Sequence, residues 1–448
     1  MCRLLKGAVV AALLALVAAC GNDEGFTDIQ VPAAFIRSVN AIPDSPNLFV
    51  EIGTQTPQAL AFGQSSGFVS SLADLPLSFD TYFSTRGEQT FLIRDESLLV
   101  GLDNEMTLVL AGSMEAPQLI RIENEPPTDI DFTTQLELQF AHVATDAPGP
   151  VTVTLIQGGA TVTESTLEFG ESSPLVLLDA GDDYTIEARD GSGALVWSSG
   201  TATLAAGSRP LVMLTDYFGP GPAELRGLRV TSEGSAPFPN ETLPSALRVA
   251  NMTATQGPLD VTVRGSLFAT NLPFQNVSDF TDTDAGEIDI SIAPFGDSSN
   301  VLFESDGFAL LPGSFVTLIS TTTSEDEVTA RLFGNDRRRI PSRARLNVSN
   351  ASPGQGTVDI YVVEAGDSIS DFNPRVRLTA VPDASASGNI LVEEGSYDFY
   401  VTDDGTRDVL VGPLGLDLMN GGLYSIYVTD PAGGGAPPEV LLGGDFTP

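Results

Sequence analysis

The sequence predicts an all-β chain: four tandem Ig-like antiparallel β-sandwich domains behind a lipoprotein signal peptide. Three observations carry this. Short Val/Ile/Thr-rich runs alternate with period two, as half-buried strands do. Pro/Gly/Asp turn signals follow each other every ~8–12 residues, the spacing of a sandwich. One segment recurs four times at about the length of a domain. No amphipathic helix of useful length is visible after the N-terminal segment, and a closed barrel is the competing architecture.

Residues 1–19 read as a signal peptide. Arg3 and Lys6 give a basic start, Gly7 to Ala19 carries no charge, and small residues precede Cys20. An apolar run of 13 residues is short of the ~20 a spanning helix needs. Val17-Ala18-Ala19-Cys20 resembles the bacterial lipobox. That resemblance implies lipidation of Cys20 as the first residue of the exported chain, with Gly21 behind it favouring the outer membrane. Residues 20–33 would form the lipidated cysteine and a stalk. Cys2 would leave with the signal, so no thiol pair would remain for a disulfide.

The repeats begin at Ile36-Arg37-Ser38-Val39-Asn40, Leu138-Gln139-Phe140-Ala141-His142, Leu247-Arg248-Val249-Ala250-Asn251 and Leu346-Asn347-Val348-Ser349-Asn350. Asn40, His142, Asn251 and Asn350 are repeat-equivalent, at separations of 102, 109 and 99 residues. A second run follows each turn. Leu259, Val261 and Val263 face one way, with Asp260 and Thr262 the other; Val358, Ile360 and Val362 repeat this against Asp359 and Tyr361. Further downstream, Ala180-Gly181 with Tyr184 matches Glu394-Gly395 with Tyr397. Gly207, Gly313 and Gly421-Gly422 precede another apolar run, in turns that need positive φ. The first copy lacks these glycines, with Leu75-Pro76 and Asn104-Glu105 at the comparable places. The expected domains are 34–124, 135–232, 245–338 and 342–448, joined by linkers at Glu123–Thr128, Glu233–Pro239 and Arg337–Pro341. An extended string, bent at the first two linkers, is expected from these.

The blocks around Asn40-Ala41-Ile42-Pro43-Asp44-Ser45-Pro46 and Asn350-Ala351-Ser352-Pro353, with the Val358–Val362 strand and the Gly-x-Tyr turn, resemble the bacterial domain of unknown function 4397 family in tandem copies. The resemblance implies exported, often anchored β-rich domains and brings no catalytic residues with it.

Chemistry is sparse. Acids number 59 against 21 bases, for a formal charge of −38; loss of Arg3 and Lys6 with the signal would make it −40. Such a chain repels nucleic acid and anionic surfaces. Lys6 is the only lysine, so the basic side chains of the exported part are arginines, with His142 beside them. A Ser-His-Asp hydrolase would have to use His142, the only imidazole. The competing reading is that His142 ends a strand and bonds to nearby backbone, as Asn does in the other copies. No catalytic residues are assigned. Asp282, Asp284 and Glu287, Asp403 and Asp404, and the Ser324–Glu327 run are the candidates for calcium, which takes hard oxygen ligands; solvated hairpin turns use the same residues. Arg337-Arg338-Arg339 reads as a linker pairing with nearby carboxylates, and Trp197 as core. The functional expectation is a non-enzymatic, lipid-anchored cell-envelope protein with no required cofactor, acting as a spacer, adhesion or ligand-presenting module. The alternatives are a polysaccharide-binding module, with or without calcium assisting, and an accessory subunit of an export or surface complex. Its partners would be the membrane, through Cys20, and an envelope protein or polysaccharide.

Overall fold

A computed structural model of the chain describes residues 33–125, 127, 130–147, 149–323, 325–369 and 374–448. The expected signal peptide, Cys20 and most of the expected stalk lie outside these. Among the described residues the structure is all-β, with no helix long and apolar enough to cross a membrane.

Eight sheets form four pairs, and each pair is one unit. Unit 1 contains β1 (Ala33–Asn40), β2 (Leu48–Ile52), β3 (Gln58–Leu60), β4 (Val69–Leu72), β5 (Leu77–Thr85), β6 (Glu88–Leu98), β7 (Glu105–Gly112) and β8 (Pro117–Asn124). Its sheets run β4-β1-β7-β8 and β3-β2-β5-β6. The other three units repeat this order. Their strands run from Gln135 to Phe238, Ser245 to Asn335 and Ala344 to Phe446. Within each otherwise antiparallel sandwich, one pair is parallel. In unit 1 it is β1 with β7, and Asn40 faces Leu110. The three counterparts set His142 against Leu214, Asn251 against Ser320 and Asn350 against Val428.

The alternating second strands point as their pattern requires. Leu48, Val50 and Ile52, and their counterparts Val151, Val153 and Leu155, Leu259, Val261 and Val263, and Val358, Ile360 and Val362, enter four separate cores. Trp197 is wholly buried in the second core. Unit 4 departs from expectation on its other face. Asp359 and Tyr361 are buried too, because Tyr361 packs with Val363, Ile369 and Tyr400, and Asp359 accepts the Ala380 N–H at 2.7 Å. Gly207, Gly313 and Gly421 take φ of +74°, +68° and +74°. Unit 1 meets the same requirement with Asp103 at φ +59°, since an aspartate tolerates the left-handed region better than most side chains.

Two expectations fail. Glu233–Pro239 is no free linker: Gly234–Phe238 forms a fifth strand on Glu224–Thr231, and the Ser235 hydroxyl donates to the Gly63 carbonyl of unit 1 at 2.6 Å. Nor are the units strung out. The outward faces of the parallel-paired strands are apolar as well, and they pack on each other. Val39, Ala41, Val109 and Ala111 of unit 1 share a cluster with Ala141, Val143, Leu211 and Met213 of unit 2. Ala250, Met252 and Ile319 of unit 3 do the same with Ala351 and Tyr427 of unit 4. A strand buried on both faces loses its alternation and reads as a continuous apolar run, as Leu211-Val212-Met213-Leu214 does.

The two pairs stack end to end. At the far end of unit 2, Tyr217 stacks on Phe315 at the near end of unit 3, with centroids 6.2 Å apart. At the far end of unit 1, Arg86 pairs with Glu393 of unit 4 at 3.3 Å, and Arg343 donates to the Ser84 carbonyl. The molecule is a block two units wide and two units tall.

Candidate functional site

The repeat-equivalent residues are structural braces. Asn40, Asn251 and Asn350 are fully buried at the ends of the first strands. Each amide Nδ2 donates to the carbonyl closing the same neighbouring strand: Leu60 at 3.1 Å, Leu272 at 2.9 Å and Val381 at 3.0 Å. Each Oδ1 accepts the N–H two residues on, from Ile42, Thr253 and Ser352. One side chain thus ties the strand end to the turn and to the opposite sheet, which an alternation pattern cannot reveal.

His142 sits at this position in unit 2. It is 1% exposed, lies edge-on to Phe169 and bonds to the Gly149 backbone, while Nδ1 has no hydrogen-bond partner. Burial pushes its pKa below the ordinary 6.5, and the bond to Gly149 opposes this only in part. The unfolded chain therefore takes up a proton first as pH falls through about 6.5, and this contribution to stability is lost on the acid side. His142→Asn removes it. The melting temperature of the variant relative to the parent is expected to rise as pH drops from about 7.5 to about 5, read by scanning calorimetry.

A second repeated device was missed. Ser66, Ser173, Ser278 and Ser387 each accept a first-strand N–H, from Ser38, Phe140, Val249 and Val348, and each donates to the carbonyl of its own next residue. The signal was available, since Phe62-Gly63-Gln64-Ser65-Ser66 and Phe169-Gly170-Glu171-Ser172-Ser173 are near copies. The glycine-tyrosine turns of units 2 and 4 are tyrosine corners: Tyr184 donates to the Asp179 carbonyl at 2.7 Å and Tyr397 to that of Glu393 at 2.8 Å.

The calcium candidates do not converge. No group of three or more His, Cys, Asp or Glu side chains able to hold a metal occurs among the described residues. Asp282, Asp284 and Glu287 are exposed, and the carbonyls of their turn already hold a cation. The Arg264 guanidinium donates to the carbonyls of Asp284 at 2.9 Å, Ala285 at 3.0 Å and Glu287 at 3.0 Å. Asp403 and Asp404 form an exposed hairpin turn closed by the Thr406 N–H to the Asp403 carbonyl. Ser324 lies outside the described residues.

The densest chemistry is where the four units meet, on Arg337-Arg338-Arg339. Arg337 lies 4.4 Å from the Phe280 ring centroid of unit 3. Arg338 is 8% exposed; it forks onto Asp336 at 2.7 to 3.1 Å, donates to the Pro43 carbonyl and covers Phe62 of unit 1. Arg339 donates its N–H to the Phe218 carbonyl of unit 2 and lies over Phe446 of unit 4. Arg345 adds a second cation to Asp336 at 2.9 Å. Burial raises the Asp336 pKa, but Arg338 and Arg345 outweigh it and hold the carboxyl below its ordinary 3.8. The linker thus does pair with a carboxylate, and it also fastens every unit.

Beside this junction an open cavity of about 490 Å³ separates units 3 and 4, walled by Arg248, Gln275, Phe280, Arg337, Tyr427 and Asp445. Arg248 is spent on Asp445 and on the Thr317 and Ser425 hydroxyls. Arg337 differs. Its Nε is buried without a partner, and among the described residues no carboxylate lies within ion-pair distance.

Residues 245–361 match the family described as Domain of unknown function (DUF4397). The match opens on the first strand of unit 3, crosses the arginine linker and ends in the second strand of unit 4. No curated protein matches the chain. Among solved structures, "The Bacillus anthracis TIE protein" aligns over 86% of this chain and 75% of its own, at 9% identity and a TM-score of 0.16.

Proposed function

We propose that this chain is a non-enzymatic, lipid-anchored envelope protein, tethered by Cys20 to the outer membrane, that presents a rigid four-unit block to a ligand or partner. The junction on Arg337–Arg339 supports this reading. A spacer or flexible tether gains nothing from units bound face to face and cross-tied at their ends, whereas a presenting module gains preorganised surfaces. The test is fractionation of cells carrying the parent or Cys20→Ser. The parent is expected in the membrane fraction with acyl chains on Cys20 by mass spectrometry, and the variant in the soluble fraction. Equal distribution of the two would reject the anchor.

A second reading, recognition of an acidic polysaccharide, draws on one feature. Arg337 offers a guanidinium with no carboxylate partner on a polar cleft, in a chain otherwise dominated by acids. Calorimetric titration with uronic-acid oligomers tests it. Saturable binding lost in Arg337→Ala supports the reading; identical heats from parent and variant reject it.

A further inference from the structure

The lower end of the block, formed by units 1 and 2, carries exposed apolar side chains where the chain departs toward Cys20. In unit 1, Leu72 and Leu75 lie in and beside the turn before β5, and Leu99 and Leu102 in the turn after β6; they are 48%, 49%, 58% and 53% exposed. The two turns adjoin, since the Asp74 N–H donates to the Val100 carbonyl at 2.9 Å. Both border the first described residue, with Ala33 paired to Leu72 and the Asp103 N–H donating to the Ala33 carbonyl at 2.8 Å. Unit 2 adds Phe132 and Leu177, 45% and 49% exposed, at the same end. Arg209 fixes that alignment by bridging Glu105 of unit 1 and Glu137 of unit 2 at 2.8 and 2.7 Å. The opposite ends of these units are covered by units 3 and 4.

We propose that this apolar end rests in the interfacial zone of the bilayer that holds Cys20, so that the block stands upright on the membrane. The inference rests on the anchor reading. Twelve residues lie between Cys20 and Ala33, a span of at most about 45 Å when extended, so the lipid surface stays within range of this end in every conformation. Leucines on loop tips gain by immersion at headgroup depth, and many weak insertions add to an acyl anchor. Asp74 and Asp103 on the same turns make the contact one for zwitterionic lipid, weakened by anionic lipid.

The test uses the full acylated chain, whose mature form has no other free thiol. Leu102→Cys and, as control, Leu267→Cys on unit 3 are labelled with an environment-sensitive dye and reconstituted into phosphatidylcholine vesicles carrying a nitroxide-labelled chain. The dye at 102 is expected to shift blue and to be quenched at least about threefold more than at 267, with the difference reduced by Leu72→Ser/Leu75→Ser/Leu99→Ser and by phosphatidylglycerol. Trp197 fluorescence verifies that each variant is folded. Equal quenching at both positions in a chain that floats with the vesicles overturns the proposal and leaves the anchor intact. A chain without acyl groups that does not float overturns both.

Discussion

Replacing Arg338 by alanine is expected to cost about 3 kcal/mol of the coupling between the lower and upper pairs of units, and to lengthen the particle in solution scattering. The side chain makes three bonds to Asp336, one to Pro43 and an aromatic contact with Phe62, and its loss takes the closer of two cations from a half-buried carboxylate. The figure is at the low end of the range for breaking a buried pair. Asp336 keeps 23% of its side chain exposed, and Arg345 still faces it. The effect carries a pH signature. In the parent, Asp336 is held below its ordinary 3.8, so its contribution is complete above that value and fades as pH falls through the lower, folded one. In Arg338→Ala the stranded charge is costly at neutral pH and vanishes on protonation. The gap between parent and variant in calorimetry therefore narrows as pH drops toward and below 3.8. A gap constant across that range would show that Arg338 acts by packing alone.

Asn251→Ala should destabilise unit 3 by about 3 kcal/mol, because two backbone groups, the Leu272 carbonyl and the Thr253 N–H, lose their partner where water cannot replace it. Asn251→Asp is expected to be no better. It keeps an acceptor for Thr253 but turns a carboxylate toward the Leu272 carbonyl. Urea titration followed by hydrogen exchange of unit 3 amides separates the cases. A loss under about 1 kcal/mol in the alanine variant would mean that the turn is held by its other bonds.

The sequence made some levels of this structure legible and hid others for a physical reason. Strands such as Leu259–Val263 announced themselves because one face meets a core and the other meets water. The packing of unit on unit was hidden because the first strands have no watery face. Val39 and Ala41 look like ordinary core residues, and nothing local says which core they enter. The glycine turns were readable from their φ requirement, whereas Asp103 performs the same turn with a side chain that also suits a surface loop. The asparagines were visible as repeated letters, and their function as ties between strand, turn and sheet emerged only when Leu60, Leu272 and Val381 came within reach. The junction was least legible of all. Arg337-Arg338-Arg339 is three identical letters whose side chains go to different units.

That arginine run has a consequence for how the protein meets proteases. Trypsin-like enzymes cut after lysine or arginine, and Lys6 is the only lysine in the chain. Arg37, Arg248, Arg338, Arg343 and Arg345 are each at least nine-tenths buried. In the segment joining the two halves, Arg338 and Arg343 are closed off between the units, while Arg337 and Arg339 are half-buried. Cleavage after Arg338 or Arg343 therefore reports that the two halves have parted.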